Sequence, residues 1–265
     1  MLRVVTEEGG GFHGPSLTDF FPPALFGDGT FFEFNRVLLV RVIATLLLVG
    51  IMMFVAKRAT VVPTRGQSVV EMLFEFLRSN VIFSVLGERE GKKYDKLLIT
   101  VFFAIFAFNI TGIIPGLNIA STGLIGVTLL LAIVTWVVYL VGGVRKHGAG
   151  GYVVHSLFPP GVPLMLKPLI AAIDFLQALV IRPATLALRL SINMLVGHLL
   201  LVLTYSATQY FWVDTPSNFN IAYGVLTFVG MIFITFLEVF VAALQAFIFI
   251  MLSAVYINMA TSEDH

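Results

Sequence analysis

The sequence predicts an all-α integral membrane protein, and three observations carry that prediction. The 265 residues are 58% hydrophobic and 12% charged, with a mean hydropathy of +0.97, whereas soluble domains carry roughly 45–50% apolar and about 25% charged residues. Five apolar stretches, at about 37–56, 97–114, 124–143, 166–205 and 221–259, reach or approach the roughly 20 residues a helix needs to cross a hydrocarbon core. Basic residues also alternate between connections. Segment 57–96 carries Lys57, Arg58, Arg65, Arg78, Arg89, Lys92, Lys93 and Lys96, loop 115–123 carries none, Arg145, Lys146 and Lys167 follow, and loop 206–220 again carries none. Five crossings with the N-terminus outside and the C-terminus in the cytoplasm fit that alternation.

Taken in order, residues 1–36 are expected to form an extracytoplasmic segment and 37–265 a single membrane domain. The N-terminus, with Glu7, Glu8 and a glycine run, lacks the basic-then-apolar pattern of a signal peptide, so the first apolar stretch is expected to be retained. Gln67–Leu86 has a different character. Ser68, Glu71, Glu75, Arg78 and Ser79 recur at helical spacing, with Val69, Val70, Leu73, Phe74, Leu77 and Val81 opposite. That pattern predicts an amphipathic helix lying at the membrane surface. The second and third stretches suit ordinary spans, and the Pro/Gly-rich connection 148–168 reads as a cytoplasmic loop or short hairpin. The last two stretches are about twice the length needed and carry polar residues, so they are strongly tilted or broken.

Several function classes lose support at this stage. The chain has no cysteine, which removes disulfides and thiolate metal sites. A net charge of +1 gives no footing for nucleic acid. Neither HExxH nor GxSxG occurs. Gly87-Glu88-Arg89-Glu90-Gly91-Lys92-Lys93 has the wrong spacing for a phosphate loop and lacks its Ser/Thr. No internal repeat of the kind found in many secondary transporters is visible.

The polar groups of the last two stretches are the informative ones. An arginine at the centre of a spanning helix costs about 2.5–3.5 kcal/mol on insertion scales, and Arg189 lies well inside its stretch with apolar flanks of about two turns on either side, too far for its head to snorkel out. Thr185, Arg189, Asn193 and Val196 share a helical face. Guanidinium does not release its proton in proteins, so Arg189 can present a fixed charge to a mobile carboxylate or anion but cannot relay protons. Groups that can exchange protons lie nearby. His198 is further along the same helix, and Glu238 lies in the fifth stretch on a face shared with Ala242, Gln245 and Phe249. If the two helices form an antiparallel hairpin, Gln245 approaches Arg189 while Glu238 approaches His198. His198 reads equally as a hydrogen-bonded core histidine. A carboxylate such as Glu238 has little structural use in an apolar helix. Asp174 and Gln177 are either wetted groups on the inner side or helix N-terminal residues favoured by the dipole. Asn109 is a lone amide that suits an interhelical hydrogen bond better than a place on a path.

These residues resemble a known family. The run Arg182-Pro183-Ala184-Thr185-Leu186-Ala187-Leu188-Arg189-Leu190-Ser191-Ile192-Asn193-Met194-Leu195-Val196-Gly197-His198 is similar to the signature of F-type ATP synthase subunit a. So are Leu244-Gln245-Ala246-Phe247-Ile248-Phe249 followed by Tyr256, Pro63-x3-Gln67-x3-Glu71, and Gly91-Lys92-Lys93-Tyr94 through Asn109-x2-Gly112-x2-Pro115. The likeness covers about residues 60–115 and 165–262, in order and with compatible topology; 1–35 and 147–165 match loosely. It implies a proton-translocating stator subunit of the Fo sector in a bacterial plasma membrane. Arg189 would face the carboxylate of a rotating c-ring, with Asn193 and Gln245 as its polar neighbours. His198 and Glu238 would line the outer half-channel, in the order His first and Glu second, which some bacterial members reverse. Asp174 would belong to the inner half-channel, with Asn109 a further path candidate. The implied partners are the c-ring, the peripheral-stalk b subunits and the rest of F1Fo, with no cofactor and no nucleotide bound by this chain. The family's usual Phe-Gly or Ala-Asn after the arginine reads Ser191-Ile192-Asn193 here, a departure in local packing. The family fold implies two long, steeply tilted final helices (166–205 and 221–259). Two rivals stay open on residues alone: a secondary transporter using Arg189 for a substrate carboxylate, and an intramembrane enzyme or scaffold.

Overall fold

Inside lipid a backbone must satisfy its own hydrogen bonds, and a helix does so within one segment. This computed structural model describes residues 14, 24–26, 34–60, 64–114, 121–148, 150–152, 167–215 and 217–262, and helices make up nearly all of them. Most of the expected N-terminal segment and of the 148–168 connection lies outside the described residues. Two short antiparallel strands, β1 (Ala24–Phe26) and β2 (Phe34–Asn35), precede the first helix. That helix, α1 (Arg36–Lys57), is capped by the Asn35 side chain, which accepts from Leu38 N–H at 3.0 Å. Lys57 in its last turn suits the negative end of the helix dipole.

The amphipathic segment forms as expected. It comprises α2 (Arg65–Leu77), a wide π-helical turn over Arg78–Phe83, and the start of α3 (Ser84–Ile110). Gln67 ties it to the end of α1: its Oε1 accepts from Thr60 N–H at 3.2 Å and its Nε2 donates to Thr60 O at 3.0 Å and to Glu71 Oε1 at 2.6 Å. This is a structural job for Gln67 and Glu71. The direction then changes at Gly87, whose φ of 72° interrupts α3. A side chain is strained in that left-handed region and glycine is not. The turn is braced by Arg78, whose Nη2 donates to Asp95 Oδ2 at 3.2 Å.

Next comes α4 (Ile125–His147), ending in Arg145, Lys146 and His147. The fourth stretch is one continuous run of 48 residues, Lys167–Asp214. It contains α5 (Lys167–Leu176), a π turn over Gln177–Ile181, α6 (Arg182–Gln209) and a second π turn over Tyr210–Asp214. Pro183 explains the first of these turns. Proline has no N–H and its ring crowds the preceding turn, so Arg182 N–H bonds to Gln177 O instead of Ala178 O. The Ala178 carbonyl is left without a helical partner, and α4 supplies two: Trp136 Nε1 donates to it at 3.0 Å and the Tyr139 hydroxyl also donates to it.

The last helix, α7 (Asn218–Thr261), has 44 residues, with Glu238 its one charged side chain. At 1.5 Å per residue it is about 66 Å long, against about 30 Å of hydrocarbon. A helix this apolar gains nothing by projecting into water, so this excess length goes into steep tilt. Helices α3, α4 and α6 all pack on α7, while α1 packs chiefly on α3. Ala242, Ala246, Ile250 and Ala254 of α7 are fully buried. Small residues four apart let neighbouring backbones approach closely.

Among the described residues, four helices are long and apolar enough to cross a membrane: Arg36–Lys57, Ile125–His147, Lys167–Asp214 and Phe219–Thr261. The expected fifth crossing falls in α3. Its helix stops at Ile110, so the charge-free part beyond Lys96 is 14 residues (97 to 110), about 21 Å. It is also the best-shielded helix, with Leu98, Ile99, Val101, Phe102 and Ile105 in the core.

Candidate functional site

The site is built by the hairpin of α6 and α7. Each helix is placed by its apolar side chains, so the polar ones fall where the helical period puts them. On α6, Leu186, Ala187, Leu190, Ser191, Met194 and His198 are buried. Thr185, Leu188, Arg189, Ile192 and Val196 are exposed on the opposite side, and Asn193 is half-buried. Arg189 therefore stands on the open face, and it makes no ion pair or hydrogen bond to any described residue.

The hairpin is antiparallel, and its register can be read from two contacts. Thr208 Oγ1 donates to Thr227 Oγ1 at 3.0 Å. Eleven residues on in each helix (208 to 197, 227 to 238), Glu238 lies against Gly197. The approach is close: a Cβ on Gly197 would stand 3.2 Å from Glu238 Oε1 and 3.5 Å from its Cδ, so the carboxyl would have to give by a few tenths of an ångström. Glu238 is 1% exposed, and neither carboxylate oxygen has a hydrogen-bond partner among the described residues. Burying a carboxyl with no partner is costly. His198, next in the chain to Gly197, is buried and hydrogen-bonds to the backbone of Gly112 at the end of α3. Glu238 thus lies against Gly197, the chain neighbour of His198, with no hydrogen bond from its carboxylate to the imidazole. Seven further residues in each helix (197 to 190, 238 to 245) bring Leu190 level with Gln245. Buried Gln245 accordingly stands at the height of Arg189.

Asp174 is half-exposed on α5 and makes no bond to a described residue. It lies 15 residues before Arg189 and His198 lies nine after, about 22 Å and 13 Å along the helix. Asn109 is fully buried and engaged at both ends. Its Nδ2 donates to Ala242 O at 3.2 Å, and its Oδ1 accepts from Thr122 Oγ1 at 2.5 Å. Those bonds make it an interhelical tie.

Several contributors escape a reading of the sequence. Ser191 Oγ donates to Gly123 O at 2.8 Å, which gives the departure at this position a purpose. Thr111 Oγ1 lies 3.1 Å from Ser121 Oγ. The guanidinium of Arg182 lies over the ring of Tyr256, 5.3 Å from its centroid, which latches the start of α6 to α7. The loop partners Ser121, Thr122 and Gly123 carry no signal beyond being small and polar. Arg182 carries one, being a second cation within an apolar run.

The fold and site define a multi-pass helical membrane protein whose last two helices form an antiparallel hairpin carrying a buried acid and an open-faced arginine. Comparison with known proteins then gives the family. A family model for the ATP synthase A chain matches residues 38–258. The chain is 38% identical over 263 residues to ATP synthase subunit a of Rhodococcus erythropolis, covering 99% of this chain and 95% of that protein. The proteins of the same name from Nocardioides and from Streptomyces lividans are 32% identical over 271 residues (99% and 98% covered) and 31% identical over 265 residues (97% and 91% covered). The chain belongs to the ATP synthase subunit a family.

Proposed function

We propose that the chain is the proton-conducting stator of an ATP synthase membrane sector, with Arg189 as the gate between two half-channels. The observation that carries this reading is the setting of Arg189: deep in a spanning helix, on an open face, with no carboxylate of its own chain beside it among the described residues. A lone guanidinium in lipid is costly, so a partner from outside the chain must offset the cost. A carboxylate of the c-ring fits, because it can arrive charged and leave neutral.

In this mechanism a proton enters from outside by way of Glu238 and His198 and neutralises a ring carboxylate. The neutral acid then rotates into lipid, which costs far less than moving the anion there. On the other side it loses the proton near Asp174 and is drawn back past Arg189. Gln245 and Asn193 keep the surroundings of Arg189 polar. The attraction favours ionisation without fixing a permanent pair, since a fully desolvated lasting pair would stall rotation. The standing charge also repels any proton crossing directly between the half-channels. The driving force is about 2.3 kcal/mol per charge per 100 mV, so several protons are needed for each ATP. Asn109 serves as a tie rather than a path group.

The basic residues of 57–96 and 145–167 support an orientation with the N-terminus outside and the C-terminus in the cytoplasm, in a bacterial plasma membrane. The b subunits and the rest of F1Fo complete the assembly, and the chain itself binds no nucleotide. The test is Arg189→Ala in the assembled complex: proton-driven ATP synthesis should be abolished while the complex still assembles. Wild-type synthesis in that variant would remove the gate.

A further inference from the structure

Arg41 is, with Arg182 and Arg189, a third arginine inside the apolar stretches, and the mechanism above does not use it. It shares the inward side of α1 with Val37, Val40 and Ala44, all buried against the rest of the molecule. Its Nη2 donates to the backbone carbonyl of Ser121 at 3.0 Å, while its Nε is buried without a partner. Ser121 begins a short turn that reaches three other elements. Its hydroxyl meets Thr111 at 3.1 Å, next in the chain to Gly112, where His198 bonds. Thr122 donates to Asn109, and Asn109 donates to Ala242 of α7, one helical turn from Glu238. Gly123 accepts from Ser191 of α6. The turn is thus bonded at once to α1 and α6 through its backbone carbonyls and to α3 through its hydroxyls, with a tie to α7 through Asn109.

We infer that Arg41 is a positioning residue for proton entry: by holding the Ser121–Gly123 turn it fixes His198 and Glu238 relative to each other. The inference rests on the assignment of those two residues to the entry side. A charged donor makes a stronger tie than a neutral one, and a tie is needed here because α1 otherwise touches chiefly α3. The side chain acts through the turn and touches no proton itself. The ionisable groups of the elements around this site are Arg36, Arg41 and Lys57 of α1, Arg182, Arg189, His198 and Tyr205 of α6, and Tyr223, Glu238 and Tyr256 of α7. Those of α3 sit at its other end, before Leu97, and those of α4 sit toward its C-terminus. A loosened turn therefore changes proton entry and leaves the exit side near Asp174 as it was.

The experiment uses the whole ATP synthase reconstituted in vesicles. ATP synthesis is measured at fixed membrane potential while pH is varied on the entry side alone, then on the exit side alone. Arg41→Ala should lower the rate about tenfold, the worth of one hydrogen bond to a charged group, and shift the entry-side profile only. Arg41→Gln, which keeps a donor for Ser121 O, should recover most of the rate. Thr111→Val, which cuts the next link without touching α1, should shift the same profile, and it carries the test if Arg41→Ala does not assemble. An unchanged entry profile in Thr111→Val, or equal losses on both sides, overturns the inference. Full synthesis in Arg189→Ala would instead overturn the proposed function beneath it.

Discussion

The two halves of the α6–α7 hairpin are built to different standards. In the half around Glu238 the carboxyl is sealed against Gly197, His198 is bonded at Gly112, and Ser191, Asn109 and Thr122 tie the surroundings together. In the half toward α5, Asp174 is half-exposed and Gln177 exposed, neither with a bond to a described residue. What is tightly held there is backbone and latch: the Ala178 carbonyl under Trp136 and Tyr139, and Arg182 over Tyr256. The difference teaches which polar groups the chain encloses by itself. Glu238 is enclosed by its own helices, whereas Asp174 and Arg189 remain open to the surface.

Removing the sealed acid should break this contrast most severely. Glu238→Gln keeps the shape and loses the titrating group, so proton flow through reconstituted Fo should fall by more than about tenfold, and by more than in Gln245→Ala. Equal and negligible effects in both would sink the entry assignment. Next comes the fit at Gly197. A Cβ added there would stand 3.2 Å from Glu238 Oε1, so Gly197→Ala should slow flow modestly and Gly197→Val far more. Equal rates in the two variants would mean that Glu238 moves aside freely.

The half toward α5 is sharpened by a double-mutant cycle. Tyr139→Phe removes one donor from the Ala178 carbonyl and should cost about 1–3 kcal/mol, read as a lower unfolding temperature of the solubilised complex. In a Pro183→Ala background the restored N–H can reach that carbonyl, and the cost of Tyr139→Phe should shrink. The smallest effect is expected at the hairpin tip. Thr208→Val removes the Thr227 bond and should cost about 1 kcal/mol with proton flow unchanged.

What the sequence made legible follows the same divide. Arg189 and Glu238 announce themselves because a charge in an apolar run has few structural excuses. The helical period alone put Arg189 on a face with Thr185 and Val196, and that face is the open one. The antiparallel register followed from one loop between two long apolar runs. The ties were hidden, because they join residues far apart in sequence through a turn that must first fold back. Ser191 with Gly123 and Arg41 with Ser121 are of this kind, separated by 68 and 80 positions. Pro183 was a visible signal for the π turn, but the fate of the Ala178 carbonyl required knowing where α4 lay. The second apolar stretch reads from composition as an ordinary span, but its helix, α3, is not among the four described helices long and apolar enough to cross; its charge-free part is short and lies in the core.

The account depends most on which side of α6 meets a partner, and the chain's lack of cysteine makes that measurable. Single cysteines at Leu188, Ile192 and Val196 on the open face, and at Leu190 and Met194 on the buried face, can be paired with a cysteine beside the c-ring carboxylate. Oxidation should cross-link the first set and leave the second unlinked. Cross-links from Leu190 and Met194, with none from Ile192, would contradict the account.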